Sequence, residues 1–330
     1  MNDWLKNHLV CPRDKKELEF SENKLICSEK HTYPVFEDIP VMLVDDVEIT
    51  HDYINQTLQT IADSTKSSSE NSSAQNYSKV ENEIDPFVQG EIPYTSGNLY
   101  FSVQHKLTRY PIPECRLPAG NGERLLDIGC NWGRWSIAAA QKGYQSIGID
   151  PSLNAVLAAR RVSKQLGVET NFVVGDARFL PFADDSFETV FSYGVFQHFS
   201  KENVKVSLGE VVRVLKKNGH TLFQMPNKYG IRQYQQHRRR GFTEGEGFEV
   251  RYWTPTELME TFEKKFGQTK MTTDCYFGLG IQANDVDLLP MKYKLVVHSS
   301  ELLRKLSRLI KPLTKVADSV YLESINQNKS

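Results

Sequence analysis

Between residues 123 and 226 the chain alternates short apolar runs with stretches whose apolar side chains recur every three to four positions. The segments at 124–128, 145–149, 169–174, 189–193 and 220–224 each hold two or three of Val, Ile, Leu and Phe and are strand candidates, the first an apolar run that reads as the tip of a buried parallel strand. Helices are predicted at 135–142, 153–166 and 201–217. The last carries Val204, Leu208, Val211, Val212 and Leu215 on one face, with Gly219 expected as its C-cap. Strand–helix alternation of this kind predicts an α/β fold built on a doubly wound, mostly parallel sheet. Outside this block, helices are expected at 94–110, ended by Pro111 and Pro113, at 256–266 and near 300–310. The alternating stretch 318–324 suits a final edge strand.

The first 45 residues read as a separate small β-rich unit of zinc-ribbon type. Cys11 and Cys27 sit beside turns, and a unit this small has too little core to stand alone, for which a metal is one remedy. Asp14 occupies the second position of the first knuckle, and His31 stands at C-x-x-x-H spacing from Cys27. Cys11, Asp14, Cys27 and His31 are therefore the candidate zinc ligands, the alternative being a metal-free ribbon with two buried cysteines. Residues 46–93 are expected to be a linker, disordered over 62–82 where Ser and Asn dominate and large apolar side chains are scarce. The main domain is then 94–330.

Composition narrows the classes. At 330 residues, with 39% apolar and 25% charged positions, the chain is of soluble globular type. A net charge of −1 excludes a uniformly basic nucleic-acid binder but leaves room for local basic patches. No run of about 18 apolar residues predicts a membrane span, and the N-terminus lacks the apolar core of a secretory signal. Five cysteines, an odd number, do not make a disulfide framework, so a cytoplasmic location is expected.

The chemistry centres on Leu125-Leu126-Asp127-Ile128-Gly129-Cys130-Asn131-Trp132-Gly133. An apolar strand, a glycine turn and a helix start make a cradle for a nucleotide-like ligand. The nicotinamide fingerprint G-x-G-x-x-G fails at Asn131 and Arg134, and no G-K-[ST] follows for a phosphate loop. What fits is D-x-G-x-x-x-G, with Asn131, tolerant of a left-handed backbone, in the middle. Ser146-Ile147-Gly148-Ile149-Asp150 follows, then Gly175-Asp176-Ala177, then the strand end Ser192-Tyr193-Gly194-Val195-Phe196-Gln197-His198.

Taken in order over about 100 residues, these segments resemble the motifs of class I S-adenosylmethionine-dependent methyltransferases. The resemblance implies a Rossmann-like, seven-stranded fold and S-adenosylmethionine as cofactor. It assigns cofactor contacts to Asp127, Gly129, Asn131, Gly133, Asp150, Asp176, Ala177, Tyr193 and Gln197, with Asp150 on the ribose hydroxyls and Asp176 on the adenine amine. About 40 N-terminal residues resemble the small zinc-binding activator domain that accompanies RNA and release-factor methyltransferases, and the zinc module of rRNA guanine methyltransferases. That implies Cys11, Cys27 and His31 as ligands, with Asp14 departing from the usual cysteine.

The acceptor is expected over the ends of the fourth and fifth strands, near Tyr193, Gln197, His198, Met225 and Asn227, with His198 as candidate base. Lys228, Arg232, His237, Arg238, Arg239, Arg240 and Arg251, interleaved with aromatics, form a basic flap suited to an anionic small-molecule, glycan or lipid-linked acceptor. An RNA acceptor, and a non-catalytic cofactor-binding interaction protein, are the alternatives. The basic amphipathic stretch 302–311 either packs on the domain or makes a peripheral membrane contact.

Overall fold

The computed structural model describes residues 1–67, 83–278 and 280–329. Helix α1 (Asp3–His8) begins at Asn2, whose Oδ1 accepts from the Leu5 amide at 2.9 Å. Strands β1 (Leu18–Ser21), β2 (Lys24–Cys27), β3 (Thr32–Phe36) and β4 (Ile39–Pro40) then form an antiparallel sheet in that order.

The segment expected as a linker is largely built. Helix α2 (Asp52–Ser67) takes in residues 62–67 of the stretch expected to be disordered, and 68–82 lie outside the described residues. Helix α3 (Pro86–Ser96) starts well before the expected position 94. Its start has a physical reason: Asp85 accepts from the Phe87 amide, and Pro86 sits in the first turn, where no N–H is needed. A 3-10 turn at Asn98–Val103 replaces the rest of the expected helix.

The larger unit runs β5 (Arg124–Ile128), α4 (Arg134–Gln141), β6 (Gln145–Asp150), α5 (Leu153–Gln165), β7 (Asn171–Val174), β8 (Phe187–Tyr193), α6 (Lys201–Val214) and β9 (Leu215–Pro226). It continues through α7 (Ile231–Arg239), α8 (Pro255–Phe266), β10 (Thr269–Cys275), α9 (Met291–Ser307) and β11 (Ser319–Ile325). These seven strands make one sheet in the order β10-β11-β9-β8-β5-β6-β7. Strands β5 to β9 pair in parallel, and β11 lies antiparallel to both β9 and β10.

Two expectations are corrected. The strand at 318–324 is interior, because Val320 pairs with Met225 on one side and Thr273 on the other. The edge is β10, whose sequence TKMTTDC is too polar to stand out as a strand. Gly219 is not a helix cap: α6 ends at Val214, the chain turns through Asn218 at φ 60°, and Gly219 lies within β9.

The chain leaves β5 toward β6 and β7, then returns to β8 and β9 on the other side. The carboxyl ends of β5 and β8 therefore flank a topological switch point, where open α/β sheets bind ligands. The N-terminal unit is fused to this sheet. Its Leu5, Leu9, Leu25, Tyr33 and Met42 share a continuous apolar core with Phe182, Phe187 and Val190. The Val10 amide donates to the Pro181 carbonyl at 3.0 Å, and the Met42 amide to Val174 at 2.7 Å.

Candidate active site

Three residues of the turn after β5 have left-handed backbones: Gly129 at φ 74°, Asn131 at 46° and Gly133 at 80°. Asn131 adopts the conformation expected of it, and its Oδ1 accepts from the Trp132 amide at 2.8 Å, an Asx-type local bond. A Cβ on Gly129 would come 2.1 Å from Val195 Cγ2, and one on Gly133 would come 2.9 Å from the Ala159 Cβ. Backbone conformation and crowding thus both require glycine at these two positions.

A cleft of about 370 Å³ opens over this turn, within the size range of small-molecule sites. Of the sequence-predicted cofactor residues, Gly129, Asn131, Asp150, Asp176, Ala177, Tyr193 and Gln197 line it, as does His198. Asp127 and Gly133 do not. Asp127 lies beneath the turn, fully buried, accepting from Ser136 Oγ at 2.6 Å, and burial pushes its carboxyl up to about 7. Gly133 begins α4 and packs on α5.

Asp150 ends β6 with its carboxylate held by two backbone donors, Asn131 N at 3.0 Å and Ser152 N at 2.9 Å. Burial raises its carboxyl to about 6 against the pull of those donors. Asp176, just past β7, is clasped by the Arg178 guanidinium at 2.7 Å, and Arg178 also donates to the Glu48 carbonyl at 2.8 Å. With one donor on each oxygen, the Asp150 carboxylate keeps lone pairs for ligand hydrogens, whereas Asp176 takes its contacts on both oxygens from the backbone and guanidinium of Arg178.

His198 is fully engaged. Its Nδ1–H donates to the Phe248 carbonyl at 2.7 Å, and its Nε2 accepts from Gln197 Nε2 at 3.1 Å. Burial lowers its imidazole to about 4, so the ring is neutral at ordinary pH. The flap is also largely self-occupied: Arg251 donates to the carbonyls of His198, Gly247 and Glu249, and Arg240 to those of Thr243 and Val250. His237 is buried, and of the seven expected flap cations Arg232 alone lines the cleft. Met225 is buried, and Asn227 ties its amide to the Lys315 and Ala317 carbonyls, so neither faces the cleft.

Several residues that sequence reasoning missed complete the walls. Thr50, His51, Tyr53, Ile54 and Pro93, from the segment read as linker, form a roof with Tyr94 to Asn98 from the start of the segment read as the main domain. The floor includes Tyr193, Gln224 and Ser319, and beneath it the buried Asp274 accepts from Tyr193 Oη at 2.9 Å, Ser319 Oγ at 2.8 Å and Arg116 Nη1 at 2.6 Å. Gln224 donates to Ser319, while its own Oε1 is buried without a partner. An orphaned acceptor at the cleft floor fits a donor brought by a ligand. No sequence signal marks β10 or Asp274, but Gln224 at the end of a predicted strand was findable by position.

In the N-terminal unit, Cys11, Asp14, Cys27 and His31 place their ligand atoms within 4.8 Å of one another. His31 Nδ1 lies 3.4 Å from Cys11 Sγ, 3.3 Å from Cys27 Sγ and 3.2 Å from Asp14 Oδ2, and Cys27 Sγ lies 3.7 Å from Asp14 Oδ2. A tetrahedron with zinc bonds of about 2.0–2.3 Å has edges of roughly 3.3–3.8 Å, and these four separations lie close to that range, in a Cys/His/Asp set of the kind zinc takes.

The strand order, the left-handed turn after β5 and the acids at the tips of β6 and β7 define a class I S-adenosylmethionine-dependent methyltransferase fold, carrying a small N-terminal unit with a metal-competent cluster. Residues 125–219 match the family model described as a methyltransferase domain. An uncharacterized methyltransferase of Bacillus subtilis is 36% identical over 110 residues, 33% of this chain and 41% of that protein. A demethylmenaquinone methyltransferase of Renibacterium salmoninarum is 34% identical over 99 residues, 30% of this chain and 39% of that protein. A crystal structure of an S-adenosylmethionine-dependent methyltransferase from Methanosarcina mazei aligns with a TM-score of 0.42 at 22% identity, covering 51% of this chain and 91% of that one. The chain spans about four tenths of the length of the curated relatives it matches. Among the described residues, no helix is long and apolar enough to cross a membrane.

Proposed function

We propose that the protein is an S-adenosylmethionine-dependent methyltransferase acting on a small or lipid- or glycan-linked acceptor. The observation that carries the reading is the convergence of Asp150 and Asp176 on one cleft over the Gly129–Gly133 turn. In this reading Asp150 accepts from the ribose diol, Asp176 from the adenine amine, and the turn approaches the methionine moiety. The sulfonium supplies an already activated methyl group, so the protein's task is alignment of acceptor, methyl and sulfur.

The acceptor enters between Tyr193, Gln224, Arg232 and Phe248. Gln224 Oε1 receives a hydrogen from the acceptor, and Arg232 provides the positive charge that favours an anionic one. His198, neutral and engaged at both nitrogens, clasps the flap, so the acceptor enters already ionised or loses its proton to solvent. An RNA acceptor draws its support from Arg238 and Arg239, both exposed on α7.

In the N-terminal unit, Cys11, Asp14, Cys27 and His31 would hold a structural zinc, which would cross-link the ribbon rather than join the chemistry. Titration calorimetry with S-adenosylmethionine tests the reading. Micromolar binding that is lost in Asp150→Ala, with an unchanged far-ultraviolet spectrum, is expected; binding unaffected by that substitution refutes the assignment.

A further inference from the structure

Helix α9 is buried on one face and apolar on the other. Val297, Ser300 and Ser307 face the domain, and Ser300 Oγ accepts from the Tyr276 amide at 3.0 Å and donates to its carbonyl at 3.1 Å. On the opposite face Met291 is 76% exposed, Leu295 74% and Leu302 60%. These positions recur at four- and seven-residue spacings, so they form one stripe along the helix. Leu306 and, in the turn beyond, Leu309 continue it, the latter 83% exposed. A solvent-facing leucine ridge of this length is not an ordinary surface and marks an interaction site.

The charge around the ridge says what it meets. Residues 291–315 hold seven lysines and arginines against one acid, Glu301, in a chain whose net charge is −1. Glu301 is itself neutralised, bonded to Arg304 at 2.6 Å and to Arg116 at 3.2 Å. Nothing on this face repels an anionic surface, and Lys292, Lys305, Arg308 and Lys311 are exposed along it. Apolar side chains in a line, bordered by cations, match the layered chemistry of a bilayer interface, with acyl chains inside and phosphates around them.

We propose that α9 and the turn after it dock the protein on an anionic lipid surface, the leucine ridge entering the headgroup–acyl boundary. The inference stands on α9 alone and does not rest on the methyltransferase reading. It does bear on that site: Tyr276, to which α9 is bonded, lies next to cleft-lining Cys275 and two residues before cleft-lining Gly278.

The test is co-sedimentation of the full chain with vesicles of phosphatidylcholine alone and of phosphatidylcholine with about one third phosphatidylglycerol. The chain is expected to pellet with the anionic vesicles only, its partition coefficient falling about tenfold or more as salt is raised from ~50 to ~300 mM. Leu295→Ser with Leu302→Ser should lower partitioning at least about tenfold while leaving the melting temperature unchanged. Lys305→Glu with Arg308→Glu should remove the preference for anionic lipid. Failure of the unaltered chain to pellet with anionic vesicles at low salt overturns the proposal, as does equal pelleting of the leucine variant. A lipid-free dimer in sedimentation velocity that dissolves in the leucine variant would assign the ridge to a second copy instead.

Discussion

Phe248 lies flat against His198, ring centroids 3.8 Å apart and planes 9° from parallel, while its carbonyl accepts the Nδ1–H of the same imidazole at 2.7 Å. The two residues belong to β8's exit and to the flap, and together they close one side of the cleft. The same Phe248 ring meets His51 edge-on at 4.1 Å, which ties the flap to the roof.

This clasp predicts how activity depends on pH. With its imidazole lowered to about 4, His198 stays neutral across the ordinary range. At saturating cofactor, where the titration of Asp150 no longer limits binding, the kcat profile should show no inflection between about pH 6 and 7, where an unperturbed histidine titrates. His198→Gln should lower kcat by less than about tenfold, since loss of a general base costs roughly 10²–10⁴. A larger loss that also removes an inflection from the profile would restore His198 as the base.

Cofactor affinity should depend on pH through Asp150. Burial raises its carboxyl to about 6, and ribose hydroxyls donate to the ionised form. Binding therefore favours the deprotonated state: affinity is weak below about 6, rises through it and levels off above. Calorimetry in buffers of different ionisation enthalpy should show proton release on binding near that pH. Asp150→Asn should weaken binding by about 10- to 100-fold, in line with the loss of charged hydrogen bonds worth roughly 1.5–3 kcal/mol, and should flatten the profile.

Asp127 predicts a stability effect of the same origin. Its carboxyl titrates from 3.8 when unfolded but from about 7 when folded, so the native state binds more protons in between. Stability should fall as pH rises from about 4 through 7 and then become level. Denaturant midpoints at about pH 5 and about pH 8 will read this slope, and Asp127→Asn should reduce it. A midpoint that rises over that window in the unaltered chain would contradict the burial of a protonated acid.

Metal analysis of the purified protein should give about one zinc per chain. Cys27→Ser or treatment with a strong chelator should remove it and lower the melting temperature, because binding to a preformed site adds to folding free energy. A metal-free protein with the same melting temperature would leave the cluster as a hydrogen-bonded knot.

Much of this was legible beforehand because parallel strands buried on both faces write their positions as apolar runs. Strand β5 was located to the residue, and the acids Asp150 and Asp176 followed as strand-end punctuation. Asn131 was read correctly as a glycine substitute because the turn's φ requirement is local. What escaped was whatever depends on distant packing. Strand β10 is recognisable only through its pairing with β11, and the roof residues His51 and Tyr53 sit in a segment whose polar neighbours mask them. The flap arginines looked like a ligand surface because sequence shows charge but not which backbone carbonyls the charge will meet; Arg251 meets three.

The small N-terminal unit has one more consequence. Val41 pairs in parallel with Val174, so the outer rail of β7 bonds within its own chain. An uncovered edge strand is a template for adding strands from other molecules. A fragment cut ahead of the larger sheet would present the β7 edge at Val174 without Val41 and Met42 against it. In that sense the N-terminal unit acts as an edge guard for the larger sheet as well as a neighbour of its core.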